Sequence, residues 1–196
     1  MSIPRNWSEE LVSEWLCLEG YSTEVGIKVG TGGRGGRKEA DVVGVKISED
    51  SQKGRILCIY HVEVGQLGGE HDKNVSMLKD KFSNERTSEI VKRYRERMAF
   101  AGEVKYDKLY IDIWERPEKV KKLMSNSEIT GEKIEVWAPS ELFRSVFKAI
   151  EHSGQSTLPE SYWMLKLLES LLEVRRLNKS FELPVIKYCA STDLLI

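Results

Sequence analysis

Asp41 and Glu63 are the residues of this chain best suited by type and spacing to do chemistry. The stretches 39–48 and 55–64 read as strands, and Glu49-Asp-Ser-Gln-Lys-Gly54 between them is turn chemistry. A hairpin centred near Gln52 sets Asp41 opposite Glu63. Side chains opposed in this way have Cβ atoms roughly 4.5–5.5 Å apart, a distance at which like charges destabilise the pair. Two acids so placed call for a cation. A hard divalent metal, Mg²⁺ or Mn²⁺, is the candidate, because it binds through one or two carboxylates and keeps its other positions for water and phosphate. Such a metal activates water and stabilises the charge of a phosphodiester transition state. Taken singly, each acid is equally explained as a solvent-facing residue at a strand end.

The elements that must position this pair follow from periodicity. Trp7, Leu11, Trp15 and Leu18 recur at helical spacing, with Asn6 or Ser8 as cap and Gly20 as stop. A first strand is expected over 21–29, then a loop, Gly30-Thr-Gly-Gly-Arg-Gly-Gly-Arg-Lys38, with five glycines and three basic residues. Two helices follow the hairpin at 70–82 and 84–101. Then come strand 105–114, a short helix from Pro117, strand 133–137 and a helix from Pro139 to about His152. The order predicts an α/β fold, a mixed central sheet of about five strands flanked by helices. Along the third strand Ile59, His61, Glu63 and Gly65 share one face, with Asp41 and Val43 beside them.

Length and composition set bounds on function. The 196 residues suffice for one domain, read as 1–152, and an appendage, 153–196, separated by Ser153-Gly-Gln-Ser-Thr157. The appendage helix, 159–177, is apolar on more than one face and either packs across the domain or forms a homodimer contact. The tail 181–196 is readable either as a late strand or as disorder. A net charge of −1 makes any nucleic-acid face a local one. Cys17, Cys58 and Cys189 lack metal-ligand spacing and read as buried thiols of a reducing compartment. The N-terminal segment has no apolar core and no stretch is long enough to span a membrane, which predicts a cytoplasmic protein.

The first helix ending in Gly20-Tyr21, then Ala40-Asp-Val-Val-Gly44 and His61-Val-Glu-Val-Gly65, resembles the restriction-endonuclease-like PD-(D/E)xK superfamily. Its nearest likeness is to Mrr-like restriction enzymes and archaeal junction-resolving nucleases. The motif resemblance covers residues 7–66, and element order extends it to about 152. It implies that Asp41 is the first metal-binding aspartate, that Glu63 is the acid of the (D/E)xK element, and that Glu9, with Glu10 its competitor, supports the site. The motif lysine falls on Gly65, which can neither orient a water nor stabilise charge. Three readings follow: a lysine has migrated to the next helix, where Lys73, Lys79 and Lys81 are candidates (Lys79 and Lys81 foremost); Gln66 positions the water; or the site is inactive and the fold serves DNA binding or protein assembly.

Two neighbouring features bear on partners. Arg34, Arg37 and Lys38 lie directly before Asp41 and either follow a DNA backbone, each contact adding salt-dependent affinity, or belong to an ordinary mobile loop. His61 is one side-chain repeat from Glu63 and reads as packed or hydrogen-bonded before it reads as a ligand. The expected activity is a metal-dependent endonuclease acting on duplex or branched DNA.

Overall fold

The computed structural model describes residues 7–33, 36–114, 123, 134–153 and 158–177. Helix α1 (Trp7–Leu18) leads into strands β1 (Ser22–Gly33), β2 (Gly36–Asp50) and β3 (Gly54–Gly65). Helices α2 (His71–Lys81) and α3 (Asn84–Arg97) precede β4 (Glu103–Asp112) and β5 (Ile134–Trp137), and α4 (Pro139–His152) and α5 (Trp163–Leu177) follow. The sheet runs β1-β2-β3-β4-β5, antiparallel among the first three strands and parallel across β3-β4 and β4-β5. A five-stranded mixed α/β sheet with flanking helices is therefore what the chain forms.

The β2-β3 hairpin fixes everything that follows. Asp50 Oδ1 accepts the N–H groups of Gln52 (2.8 Å) and Lys53 (2.9 Å), and Gly54 turns the chain at φ 72°. The ladder then pairs residues without slippage from Asp50↔Gly54 to Val42↔Val62, so Asp41 and Glu63 come next. Gly26, which the β1-β2 register brackets opposite Asp41, takes φ 64°, a left-handed conformation that glycine tolerates.

Each face of the sheet carries its own core. Val42, Val62, Leu109 and Ile111 pack under Leu11, Val12, Trp15 and Leu16 of α1 and Leu142 and Val146 of α4. Val43, Val45, Leu57 and Ile59 pack under Ile90 and Tyr94 of α3. Leu78 of α2 joins Phe82, Tyr110 and Val136 in a third cluster on the α3 side.

The glycine-rich segment departs from expectation. Read as a loop, it continues the β1-β2 ladder through Val29↔Lys38 to Gly33↔Gly36, with an irregularity between Val29 and Gly33. The ladder anchored by Ile27↔Ala40 carries through glycines whose composition alone reads as loop. Arg34 lies outside the described residues, as do the short helix from Pro117 (except Leu123) and the tail 181–196. Helix α3 is shorter than 84–101, ending at Arg97.

Helix α5 packs against α1. Met164 and Leu165 enter the α1 core, while Trp163 (54 % exposed) and Leu167 (51 %) face outward. Glu14 of α1 seats the helix start, accepting the N–H of Met164 (3.2 Å) and Leu165 (2.8 Å). A buried carboxylate at these otherwise unpaired N–H groups satisfies both and meets the positive end of the helix dipole. Burial pushes the Glu14 carboxyl above its ordinary range, against the pull of these bonds.

Candidate active site

Asp41 on β2 and Glu63 on β3 lie on the α2-α3 side of the sheet, where Lys81, the last residue of α2, reaches both. The Lys81 ammonium donates to Glu63 Oε2 and stands 3.7 Å from Asp41 Oδ2. Asp41 Oδ2 also accepts the Val64 backbone N–H at 2.8 Å, which locks the aspartate across the strand pair. Glu63 is fully buried, whereas the Asp41 and Lys81 side chains keep 22 % and 24 % of their surface, so the site opens on their side. Lys73 and Lys79 are exposed, and neither forms an ion pair with Asp41 or Glu63.

Glu63 is held from behind. Its Oε1 meets His61 Nε2 at 2.8 Å and an Arg86 guanidinium nitrogen at 3.5 Å, and the same Arg86 nitrogen donates to the Glu39 carbonyl. Tyr106 of β4 reaches His61 Nδ1 at 2.9 Å. Burial pushes the His61 pKa below the ordinary imidazole value. A neutral ring has one donor and one acceptor nitrogen. Facing an ionised carboxylate, Nε2–H donates to Glu63, and Nδ1 then accepts the Tyr106 O–H, so one tautomer satisfies the chain of bonds. His61 thus takes the packed, hydrogen-bonded place, edge-on to Phe82 with ring centroids 4.8 Å apart.

The two acids are driven apart in acidity. Burial first, then the neighbouring Glu63 charge, push the Asp41 pKa up to about 7 against the pull of Lys81 and the Val64 N–H. Burial also works to raise Glu63, but the bond from His61 and the Lys81 ammonium outweigh it and hold that carboxyl below its usual value. A pair of titratable groups separated in this way is a common mark of a working site.

Gly65 occupies its position for space. Its φ is not in the left-handed region, yet a Cβ there would stand 2.8 Å from the Tyr110 hydroxyl. Tyr110, set beside Glu63 by the parallel β3-β4 register, therefore fills the room into which a side chain at position 65 would grow. A lysine cannot return there without displacing it. Gly65→Ala is expected to lower stability by about 1–3 kcal/mol, the scale of overpacking in a filled core. Urea denaturation of Gly65→Ala and of Gly65→Ala/Tyr110→Phe checks this. If removing the hydroxyl restores no stability, the steric account fails.

A metal's fit is tested by the donor set. Among the described residues no group of three or more His, Cys, Asp and Glu side chains forms a cage. Two hard carboxylates, the more accessible one strained by its partner's charge, do suit Mg²⁺ or Mn²⁺, which keep several waters and need only one or two protein carboxylates. Glu9 is buried in the first turn of α1, in the helical layer across the sheet. Arg37 and Lys38 lie on β2 just before Asp41. Beyond Arg86, the basic residues later in α3 make other contacts: Arg93 and Arg97 pair with Glu24, Lys92 with Glu96, and Arg95 bonds the Gly102 carbonyl.

Sequence reasoning did not single out Arg86, Tyr106 or Tyr110. Arg86 had a signal, since a cation in a helix's first turn opposes the helix dipole and needs another reason to be there. The tyrosines had none, because their approach to β3 depends on a parallel register. No protein-family model matches the chain, and no curated protein sequence matches it either.

Proposed function

We propose that this chain is a metal-dependent DNA endonuclease of the restriction-endonuclease-like PD-(D/E)xK kind, in which Lys81 replaces the motif lysine. The observation that carries the reading is the Lys81 ammonium set between the Asp41 and Glu63 carboxylates, with Gly65 left bare for Tyr110. Helix α1 ahead of an antiparallel meander and a parallel β3-β4-β5 finish supports the fold assignment.

Asp41 and Glu63 would hold Mg²⁺ or Mn²⁺, which supplies an activated water and charge stabilisation at the phosphodiester. The protein's own groups do the rest. Val64 N–H and Lys81 hold Asp41, and His61, Arg86 and Lys81 keep Glu63 ionised and oriented, as partners behind a metal ligand do. Lys81, on the open side, supplies a positive charge toward the oxygens that gain charge as the P–O bond breaks. Glu9 is assigned to the site by the family resemblance alone and lies in the α1 layer, across the sheet from the pair. Arg34, Arg37 and Lys38, which precede Asp41 in the sequence, follow the DNA backbone.

Incubation of the purified chain with duplex and branched DNA in Mg²⁺ or Mn²⁺ tests the reading. Nicked or cut product that disappears in EDTA is expected. DNA of every form left intact with either metal would refute catalysis, and salt-sensitive binding without cleavage would identify an inactive DNA-binding module.

A further inference from the structure

The cation between Asp41 and Glu63 is the protein's own. Lys81 donates to Glu63 Oε2 and lies 3.7 Å from Asp41 Oδ2, so its ammonium answers both carboxylates at once. The other Glu63 oxygen is committed, since Oε1 meets His61 Nε2 at 2.8 Å and Arg86 at 3.5 Å. Oε2 is therefore the oxygen that Glu63 has left for a further cation, and Lys81 holds it. On the aspartate the same division falls on Oδ2, which faces Lys81 and also accepts the Val64 N–H.

Two cations do not share such an oxygen easily. A Mg²⁺–oxygen bond is roughly 2.1 Å and a charge-assisted hydrogen bond about 2.9 Å, so an ion on Oε2 would stand within about 5 Å of the ammonium. Between charges largely withdrawn from water, repulsion at that separation is strong. One of the residues around Glu63 can yield. His61 and Arg86 are buried behind it, the Arg86 side chain keeping 6 % of its surface. Lys81 ends α2, keeps 24 % of its side-chain surface, and carries its charge on a flexible unbranched stem.

We propose that Lys81 is a stand-in cation: it neutralises the acid pair until a divalent ion binds, and then swings to the open side. This regulation of the carboxylate site rests on the metal-dependent reading given above. It couples two events, because the lysine charge reaches a phosphate only after release from Glu63 and Asp41. Reductive methylation of the full chain without DNA, read lysine by lysine by mass spectrometry, tests it with and without Mn²⁺ at equal ionic strength. Loss of the free Mn²⁺ signal in electron paramagnetic resonance titrations reports metal binding separately. With saturating Mn²⁺, Lys81 should be methylated at least about tenfold faster, the scale of one lost hydrogen bond to a charged group. Lys73 and Lys79, exposed on the same helix, should react at the same rate in both conditions. Mn²⁺ bound with Lys81 methylation unmoved would overturn the stand-in role and leave the metal site standing. An equal rise at Lys73, Lys79 and Lys81 would mark a general loosening of α2 and overturn it too. No Mn²⁺ bound would remove the metal site and the displacement together.

Discussion

Asp41→Asn is expected to stabilise the folded chain above neutral pH while abolishing DNA cleavage. The folded-state pKa of Asp41 stands at about 7 against an ordinary 3.8, so folding raises it. An acid raised on folding contributes stability that is fully present below the unfolded value and is lost as pH rises through the folded one. Above pH 7 the native protein carries a crowded carboxylate that the unfolded chain holds at no such cost. A gap of about three units corresponds to at most ~4 kcal/mol. Asparagine keeps the shape and an oxygen for the Val64 N–H, and it leaves Lys81 bonded to Glu63. Urea denaturation should therefore find Asp41→Asn more stable by about 1–3 kcal/mol at pH 8, with the advantage clearly smaller at pH 5 and gone only below about pH 4, where Asp41 is protonated in the folded and unfolded chains alike. Cleavage should fall about a thousandfold, the upper range for loss of a charge-stabilising group. Wild-type cleavage should rise with pH as Asp41 ionises, at a midpoint that moves down as Mg²⁺ is raised, because a bound cation favours the ionised acid. A variant destabilised equally at pH 5 and pH 8 would contradict the charge account.

Such a gain of stability on loss of function is expected where groups are held in tension for a task. It also separates two explanations of the pair. Acids at strand ends that merely face water have no reason to perturb one another. Here Glu63 is wholly buried and its charge helps to raise Asp41.

What was legible in the sequence is local. The Asp50 turn and the alternation on β2 and β3 define a register, and a register alone brings Asp41 to Glu63. Lys81 was readable only as one of several candidates. Val75, Met77 and Leu78 are spread around α2 and give no clear apolar stripe, so the phase of the helix is set by tertiary packing of Leu78 against Phe82, Tyr110 and Val136. With Asn74 and Leu78 inward, Lys81 falls on the site's side one turn further on, and Lys79 is rotated from Leu78 by about 100°. The Tyr106–His61 bond and the Tyr110–Gly65 contact were illegible because a parallel crossover leaves its register unspecified by any turn. The glycine-rich hairpin misled for the opposite reason: its composition is that of a loop, while its ladder is inherited from the strands on either side. The order of strands and helices predicted the α/β sheet, since alternation and helical periodicity each depend on neighbouring residues alone.

Lys81→Met and Lys79→Met should part by orders of magnitude in cleavage, though the residues are two apart on one helix. Methionine keeps the unbranched apolar stem and removes the charge. Lys81→Met should lower kcat about 10²–10³-fold, the effect of removing one preorganised stabilising group, with KM for DNA changed little. Lys79, which is exposed and makes no contact with either carboxylate, should tolerate the change within about twofold. Loss of structure is an unsatisfactory alternative, because Glu63 retains His61 and Arg86 in Lys81→Met. A second readout distinguishes the two directly. Lys81 pulls the Asp41 pKa down, so its removal leaves burial and Glu63 to raise that pKa further. The acid limb of the cleavage profile should then shift to higher pH in Lys81→Met and stay in place in Lys79→Met. Equal losses in both variants, or an unmoved acid limb in Lys81→Met, would remove Lys81 from the chemistry.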